Sequence, residues 1–204
     1  MAEVMQQHDE LILASASPRR RELLRQAGIA HRVVPPPLEE PGQSVLHLAP
    51  ARQAEALAYF KASAVARRHP CALILGADTI VAVGEEVLGK PLDADDGRRM
   101  LRTLSGTRHR VITGVALLKG DQTRLICSAT TRVTMRPIAE QEIEDYIRSG
   151  EWEGKAGAYA IQETADRFVI AIEGAFDNVV GLPVELLQRM LAEIRDHGSA
   201  HHIP

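Results

Sequence analysis

The chain has 204 residues, 24 basic and 27 acidic side chains, and a formal net charge of −3. That length buries a sizeable core as one large domain or two small lobes. The charge balance does not suit a protein that coats a nucleic-acid polymer, which needs a broad positive excess. Aromatic residues at 3% leave nothing for a single-strand stacking platform. Two cysteines, Cys71 and Cys127, are too few for a disulfide framework and fit a reduced compartment as structural free thiols. No apolar run reaches the roughly 18 residues of a membrane span. Met1 to Glu10 carries neither a basic segment nor a long apolar core, so no secretory signal is expected. These features predict a cytoplasmic protein with no membrane or nucleic-acid polymer partner.

Strand and helix signals alternate along the chain. Leu11 to Ala14 is a short apolar run ending at a Ser-Pro turn and reads as a strand. Ser17 as N-cap and Pro18 at the first helical position open a helix to about Ala27, with Gly28 past its end. Arg32 to Val34 reads as a second strand, and the prolines between Pro35 and Gly42 exclude a helix or central strand there. Residues 45–69 form a helix. Leu73 to Val83 is a strand with a polar break in its middle. Asp93 caps a helix carrying Met100, Leu101 and Leu104 and ending at Gly106, whose Arg98, Arg99 and Arg102 give a solvated face. Val111 to Leu118 and Leu125 to Met135 are strands. Ile143, Tyr146 and Ile147 mark a helix closed by Gly150, and Trp152 after it is a packing anchor. Phe168 to Ile172 is a strand, and Leu186, Leu187, Met190, Leu191 and Ile194 stripe a final helix. His109, between Arg108 and Arg110, reads as a surface residue. The sum is an α/β fold: an elongated mixed β-sheet flanked by helices, in two lobes around a cleft. Residues 1–10 and 196–204 are expected to be flexible ends of one domain spanning 11–195.

Four segments carry candidate chemistry. In Ser15-Ala16-Ser17-Pro18-Arg19-Arg20-Arg21 a strand ends where a helix begins, so unpaired N–H groups, hydroxyls and guanidinium groups converge where an oligophosphate would bind. In Gly76-Ala77-Asp78-Thr79 a carboxylate interrupts an apolar run and needs a metal, a water or a cation. In Gly89-Lys90-Pro91 a lysine sits in an irregular segment within reach of phosphate. In Gly154-Lys155-Ala156-Gly157-Ala158-Tyr159-Ala160-Ile161-Gln162 small residues let a ligand approach the backbone, with Lys155 as a point charge and Gln162 as a base-edge partner.

In this order, joined by Leu104-Ser105-Gly106, Val111-x-Thr113-Gly114-Val115 and Val179-Val180-Gly181-Leu182-Pro183, these motifs resemble the Maf family of nucleoside triphosphate pyrophosphatases over roughly residues 11–190. The resemblance implies a Maf/ITPase-like fold and hydrolysis between the α and β phosphates to a monophosphate and pyrophosphate. It also implies a divalent cation such as Mg²⁺ or Mn²⁺ and, commonly, a homodimer. The Lys-Ala-Gly-Ala-Tyr-x-Ile-Gln form resembles the branch acting on dTTP and UTP. By that likeness Asp78 is the proton acceptor, and Arg19, Thr79 and Gln162 set base preference. Ser15, Arg19, Arg20, Lys90 and Lys155 are the phosphate contacts, and Asp78 with Glu39 or Glu40 holds the metal. The family's Leu-Ala-x-x-Lys-Ala is matched with Leu48-Ala49-Pro50-Ala51-Arg52-Gln53, which makes Arg52 a further phosphate contact. The chain departs from the family at Ala160 and at Glu163, where Gly is usual. Two other readings stay open: a non-catalytic nucleotide-binding regulator of cell division, and a pyrophosphatase preferring inosine or xanthosine triphosphate.

Overall fold

A computed structural model of the chain describes residues 10–37, 45–120, 123–161 and 164–199. The elements are β1 (Leu11–Leu13), α1 (Pro18–Gln26), β2 (Arg32–Val33), α2 (Pro50–Ala66), β3 (Leu73–Val83), β4 (Glu86–Leu88), α3 (Ala94–Leu104), β5 (Arg108–Lys119), β6 (Thr123–Met135), α4 (Glu140–Ser149), β7 (Val169–Glu173), α5 (Phe176–Val180) and α6 (Val184–Ser199). The strands make one sheet in the order β2-β1-β3-β5-β6-β7, with β4 added to β3. β1 is parallel to β2 and to β3, and the other pairings are antiparallel, so the sheet is mixed as expected.

Side chains alternate across a strand, and that period distributes the core. Leu11, Leu13, Leu73, Leu75, Ala77, Val115 and Leu117 face Leu24 of α1 and Leu187 and Met190 of α6. Farther along the sheet, Val81, Val111, Val133 and Met135 pack on Met100, Leu101 and Leu104 of α3 and Ile143, Tyr146 and Ile147 of α4. Ile12, Ile74, Ala116 and Leu118 pack on Ala58, Ala62 and Val65 of α2. Arg98, Arg99 and Arg102 line an outer face of α3, paired with Glu144, Asp96 and Glu140. Trp152 packs against the α3–α4 core and donates its indole N–H to the Ile147 carbonyl at 3.0 Å.

α2 lies unusually close to the sheet. Ala54, Ala58 and Ala62, spaced four apart on one helix face, are fully buried. Beneath them are Gly76 and Gly114. A Cβ on Gly76 would overlap the Ala58 carbonyl, and one on Gly114 would overlap the Ala54 carbonyl and lie 2.6 Å from the Glu55 nitrogen. The obstacles are backbone atoms, so no rotamer change relieves them.

Three features differ from the expectation. β5 begins at Arg108, so His109 is a strand residue, 1% exposed, rather than a surface one. Alternation turns it inward while Arg108 and Arg110 turn out. β4 joins β3 through a two-residue turn in which Gly84 takes φ +57°, a hairpin too short to show periodicity. Both cysteines are free thiols as expected, but Cys71 is exposed and so not a structural packing residue, while Cys127 is half-buried.

Gly114→Ala is expected to push α2 off the sheet and lower the unfolding free energy by about 2 kcal/mol or more. Urea denaturation of the variant checks this, and an unchanged midpoint would contradict the close approach.

Candidate active site

A gap in strand pairing builds the site. On one side β3 pairs with β5 from Ile74 to Ala82. On the other it pairs with β1 at Leu73–Leu75 and with β4 at Val81–Val83. Among the described residues, the edge of β3 between these two partners carries no strand. The segment after β1, Ser15 to Ser17, and the segment after β4, Gly89 to Pro91, enter the gap from opposite ends. Asp78 lies at its centre. The resulting cleft has a volume of about 530 Å³, within the roughly 300–1,000 Å³ of small-molecule sites.

Among the described residues, five cationic side chains line the cleft: Arg19, Arg20, Lys61, Lys90 and Lys155. Two described carboxylates, Asp78 and Glu153, face them. Asp78 is 6% exposed and forms an ion pair with Lys61 of α2. Alternation explains the partner: Ile74, Gly76 and Asp78 point to the α2 face. The glycines under α2 bring the helix close enough for Lys61 to reach. Arg19 is half-buried and makes no ion pair or hydrogen bond among the described residues, so its guanidinium is available to an anion.

Arg20 frames the site. Its Nε donates to the Gly181 carbonyl at 2.8 Å, one Nη to Ser15 Oγ at 3.2 Å, and the other to Thr79 Oγ1 at 3.1 Å. It thus ties α1 to β3 and to the turn after α5. The wiring also fixes proton directions. Thr113 Oγ1 donates to the Asn178 carbonyl at 3.0 Å, so the 2.9 Å contact between Thr79 and Thr113 requires Thr79 to donate. Thr79 therefore presents only an acceptor to the cleft. Ser15 is the reverse. Its Oγ accepts from Arg20 and from the Ser17 N–H at 3.2 Å, and its own hydrogen is left to donate. Asn178, fully buried, locks the far end by donating to the Val111 carbonyl and to Thr131 Oγ1, each at 3.0 Å.

The opposite wall is residues 153–161. Gly157 and Ala158 are consecutive left-handed residues, at φ +68° and +62°, and Ala158 is the one non-glycine residue with positive φ among those described. For an L-residue with a Cβ this conformation costs about 1–2 kcal/mol. The Gly157 N–H donates to the Gly89 carbonyl at 2.9 Å, joining this wall to the Lys90 segment. Tyr159 is buried, and its hydroxyl lies 2.8 Å from His109 Nε2. Burial pushes the Tyr159 hydroxyl well above the usual tyrosine range and holds the His109 imidazole down at about 4, so both are neutral near pH 7.

Of the residues singled out by sequence, Ser15, Arg19, Arg20, Asp78, Thr79, Lys90 and Lys155 come together in the cleft. Arg52 is not brought there: it is exposed and bonds Glu55 at 2.6 Å, one turn along α2. Lys61 takes the place assigned to it. Leu57-Ala58-Tyr59-Phe60-Lys61-Ala62 also fits Leu-Ala-x-x-Lys-Ala, with the lysine intact. Glu39, Glu40, Gln162 and Glu163 lie outside the described residues. Among the described residues no group of three or more metal-ligating side chains gathers. Asp78 fits a hard cation carried mainly by a ligand's phosphates, the way Mg²⁺ is commonly held, rather than a closed protein cage. No helix among the described residues is long and apolar enough to cross a membrane.

A mixed α/β sheet, broken at one edge to make a cationic notch over a buried carboxylate, defines a protein that grips a small polyanion. The chain belongs to the Maf family: the model for Maf-like protein matches residues 10–194. It is 47% identical over 184 residues to a dTTP/UTP pyrophosphatase from Symbiobacterium thermophilum, covering 90% of this chain and 93% of that relative. It is 48% identical over 184 residues to a dTTP/UTP pyrophosphatase from Koribacter versatilis, with 89% and 92% covered. A solved nucleoside-triphosphatase / dITP/XTP pyrophosphatase from Mycobacterium abscessus is similar at a TM-score of 0.48 and 15% identity, covering 96% of this chain and 98% of that one.

Lys61→Met leaves the Asp78 carboxylate buried without its cation and is expected to lower the unfolding free energy by about 3 kcal/mol. Arg52→Met removes an exposed guanidinium from a Glu55 that keeps its bond from Ser128 Oγ at 2.8 Å, and changes it by about 1 kcal/mol at most; urea denaturation of both variants checks the contrast. A pH effect follows from His109, whose folded value of about 4 lies below its ordinary 6.5. Between those values the unfolded chain takes up a proton here that the folded chain refuses. Stability is therefore whole above about pH 6.5 and falls by roughly 3 kcal/mol toward pH 4. His109→Phe is expected to remove that part of the loss, read from denaturation midpoints at pH 7.5 and pH 5.

Proposed function

We propose that the chain is a nucleoside triphosphate pyrophosphatase that cuts the α–β phosphoanhydride of uracil and thymine nucleotides, releasing a monophosphate and pyrophosphate. The observation that carries the reading is Asp78, a carboxylate at the centre of a cleft ringed by cations. The names of the relatives and the match over more than nine tenths of the length of the two compared support it. A triphosphate brings about four negative charges, and catalysis of phosphoryl transfer is mostly positioning and electrostatics. Arg19, Lys90 and Lys155 surround the phosphates, and Ser15 adds a hydroxyl donor. Arg20 holds Ser15 and Thr79 in place while lining the same space.

Lys61 fixes one carboxylate oxygen of Asp78. The other takes a proton from water as the water oxygen bonds to the α-phosphorus. The bond from that phosphorus to the bridging oxygen breaks, its electron pair leaves with pyrophosphate, and the proton on Asp78 passes to solvent. Asp78, with Glu39 or Glu40, would hold Mg²⁺ or Mn²⁺, which neutralises phosphate charge when bound. For the base, Thr79 offers only an acceptor, which suits the N3–H of uracil and thymine and not the N3 lone pair of cytosine. Arg19 and Gln162 complete the base-setting group by resemblance to the family. The reading carries a homodimer with it on the same resemblance, and a cytoplasmic location on the cysteine usage and N-terminal composition.

Pyrophosphate release is to be measured across dTTP, UTP, CTP, GTP, inosine triphosphate and 7-methyl-GTP, with and without EDTA. Turnover of UTP and dTTP that EDTA abolishes and Mg²⁺ or Mn²⁺ restores is expected. Asp78→Asn, with its fold intact by circular dichroism, is expected to lose at least about 1,000-fold in kcat. Near wild-type release by Asp78→Asn would sink the assignment, and a preference for a purine triphosphate would sink the base reading.

A further inference from the structure

The wall opposite the arginines is held in a conformation that its own sequence resists. Ala158 adopts φ +62°, a conformation that disfavours a residue with a Cβ, directly after Gly157 at φ +68°. Something outside the turn has to enforce it. Two contacts do so: the Gly157 N–H bond to the Gly89 carbonyl, and the Tyr159 hydroxyl against His109 Nε2. His109 lies on β5, 1% exposed, and its ring meets the Tyr159 ring edge-on at 5.6 Å. Its Nδ1 has no hydrogen-bond partner among the described residues. A buried imidazole with one nitrogen unsatisfied costs stability that an apolar residue would not, and among the described residues the ring's one polar contact is the hydroxyl of a cleft-lining residue.

We infer that His109 is a positioning residue: its hydrogen bond to Tyr159 latches the left-handed Gly157–Ala158 turn and so sets Lys155 and, through Gly89, Lys90 around the phosphates. The inference rests on reading the cleft as the triphosphate site. The latch acts on binding. With it open, the protein populates a cleft whose two lysines are out of place, and apparent affinity falls in proportion to the fraction still latched. Bound substrate restores the arrangement, so turnover at saturation changes little. A left-handed alanine is relieved by glycine, which makes the turn less dependent on its latch.

The test uses Tyr159→Phe and His109→Phe, which keep an aromatic ring in the core, each alone and combined with Ala158→Gly. Hydrogen exchange at the Gly157 amide is read on the unliganded protein, and KM and kcat are read with the preferred nucleotide. Both single variants are expected to exchange faster at Gly157 and to raise KM about five- to tenfold, with kcat within about twofold of wild type. Adding Ala158→Gly is expected to return KM toward the wild-type value. Unaltered Gly157 exchange overturns the inference, as does a fall in kcat and melting temperature with KM unchanged, the pattern of a purely structural contact. If His109→Phe does not fold, Tyr159→Phe decides alone. If the wild-type protein releases pyrophosphate from no nucleoside triphosphate, the reading of the cleft fails instead. Exchange at Gly157 and the dissociation constant for inorganic tripolyphosphate then decide the latch separately.

Discussion

A carboxylate in the middle of an apolar strand has to be neutralised, and at Asp78 the neutralising group is Lys61, delivered by a helix lying against backbone. Desolvating either charge alone costs several kcal/mol, so the pair is tolerable only because both arrive together. Their meeting depends on Gly76 and Gly114, which let Ala54, Ala58 and Ala62 rest on the sheet. The same strand loses its neighbour at this point, since β1 stops before Asp78 and β4 starts after it. A charge, a close helix and an unpaired edge are thus one local arrangement. It leaves the carboxylate reachable from the cleft while the apolar remainder of β3 stays covered.

Around that centre, hydrogen bonds run in a fixed sense. Arg20 donates to Thr79, Thr79 to Thr113, and Thr113 to the Asn178 carbonyl. Asn178 in turn anchors α5 to β5 and β6. The chain of donors converts a generic helix N-terminus into a surface with defined acceptors and donors. The far wall is organised differently, by a strained turn held from outside. The two walls bring the cations together by unrelated devices.

Much of the architecture was legible in sequence because it rests on periodicity. The apolar run 73–83, the stripe Met100-Leu101-Leu104 and the Ser17-Pro18 helix start all appear where their patterns place them. Asp78 was legible for the same reason, as a polar break in an apolar strand. Lys61 was not: it lies 17 residues earlier on a helix, where a lone lysine looks solvated, and the partner it needs is visible only once the helix is laid on the sheet. Its place in Leu57-Ala58-Tyr59-Phe60-Lys61-Ala62 was the available signal, and the similar spacing ending at Arg52 obscured it. His109 was hidden by flanking arginines, though strand alternation sends their side chains the other way. The five-residue α5 and three-residue β4 hold little more than one repeat of their periods and lack a Ser-Pro turn like the one that marked the equally short β1.

The central claim is that water, activated at Asp78, attacks the α-phosphorus of a nucleotide lying across the notch. Hydrolysis of UTP in ¹⁸O-enriched water locates the attacked phosphorus directly. The account predicts one ¹⁸O atom in the UMP formed and none in the pyrophosphate. Label in the pyrophosphate, or formation of UDP with labelled orthophosphate, would contradict it.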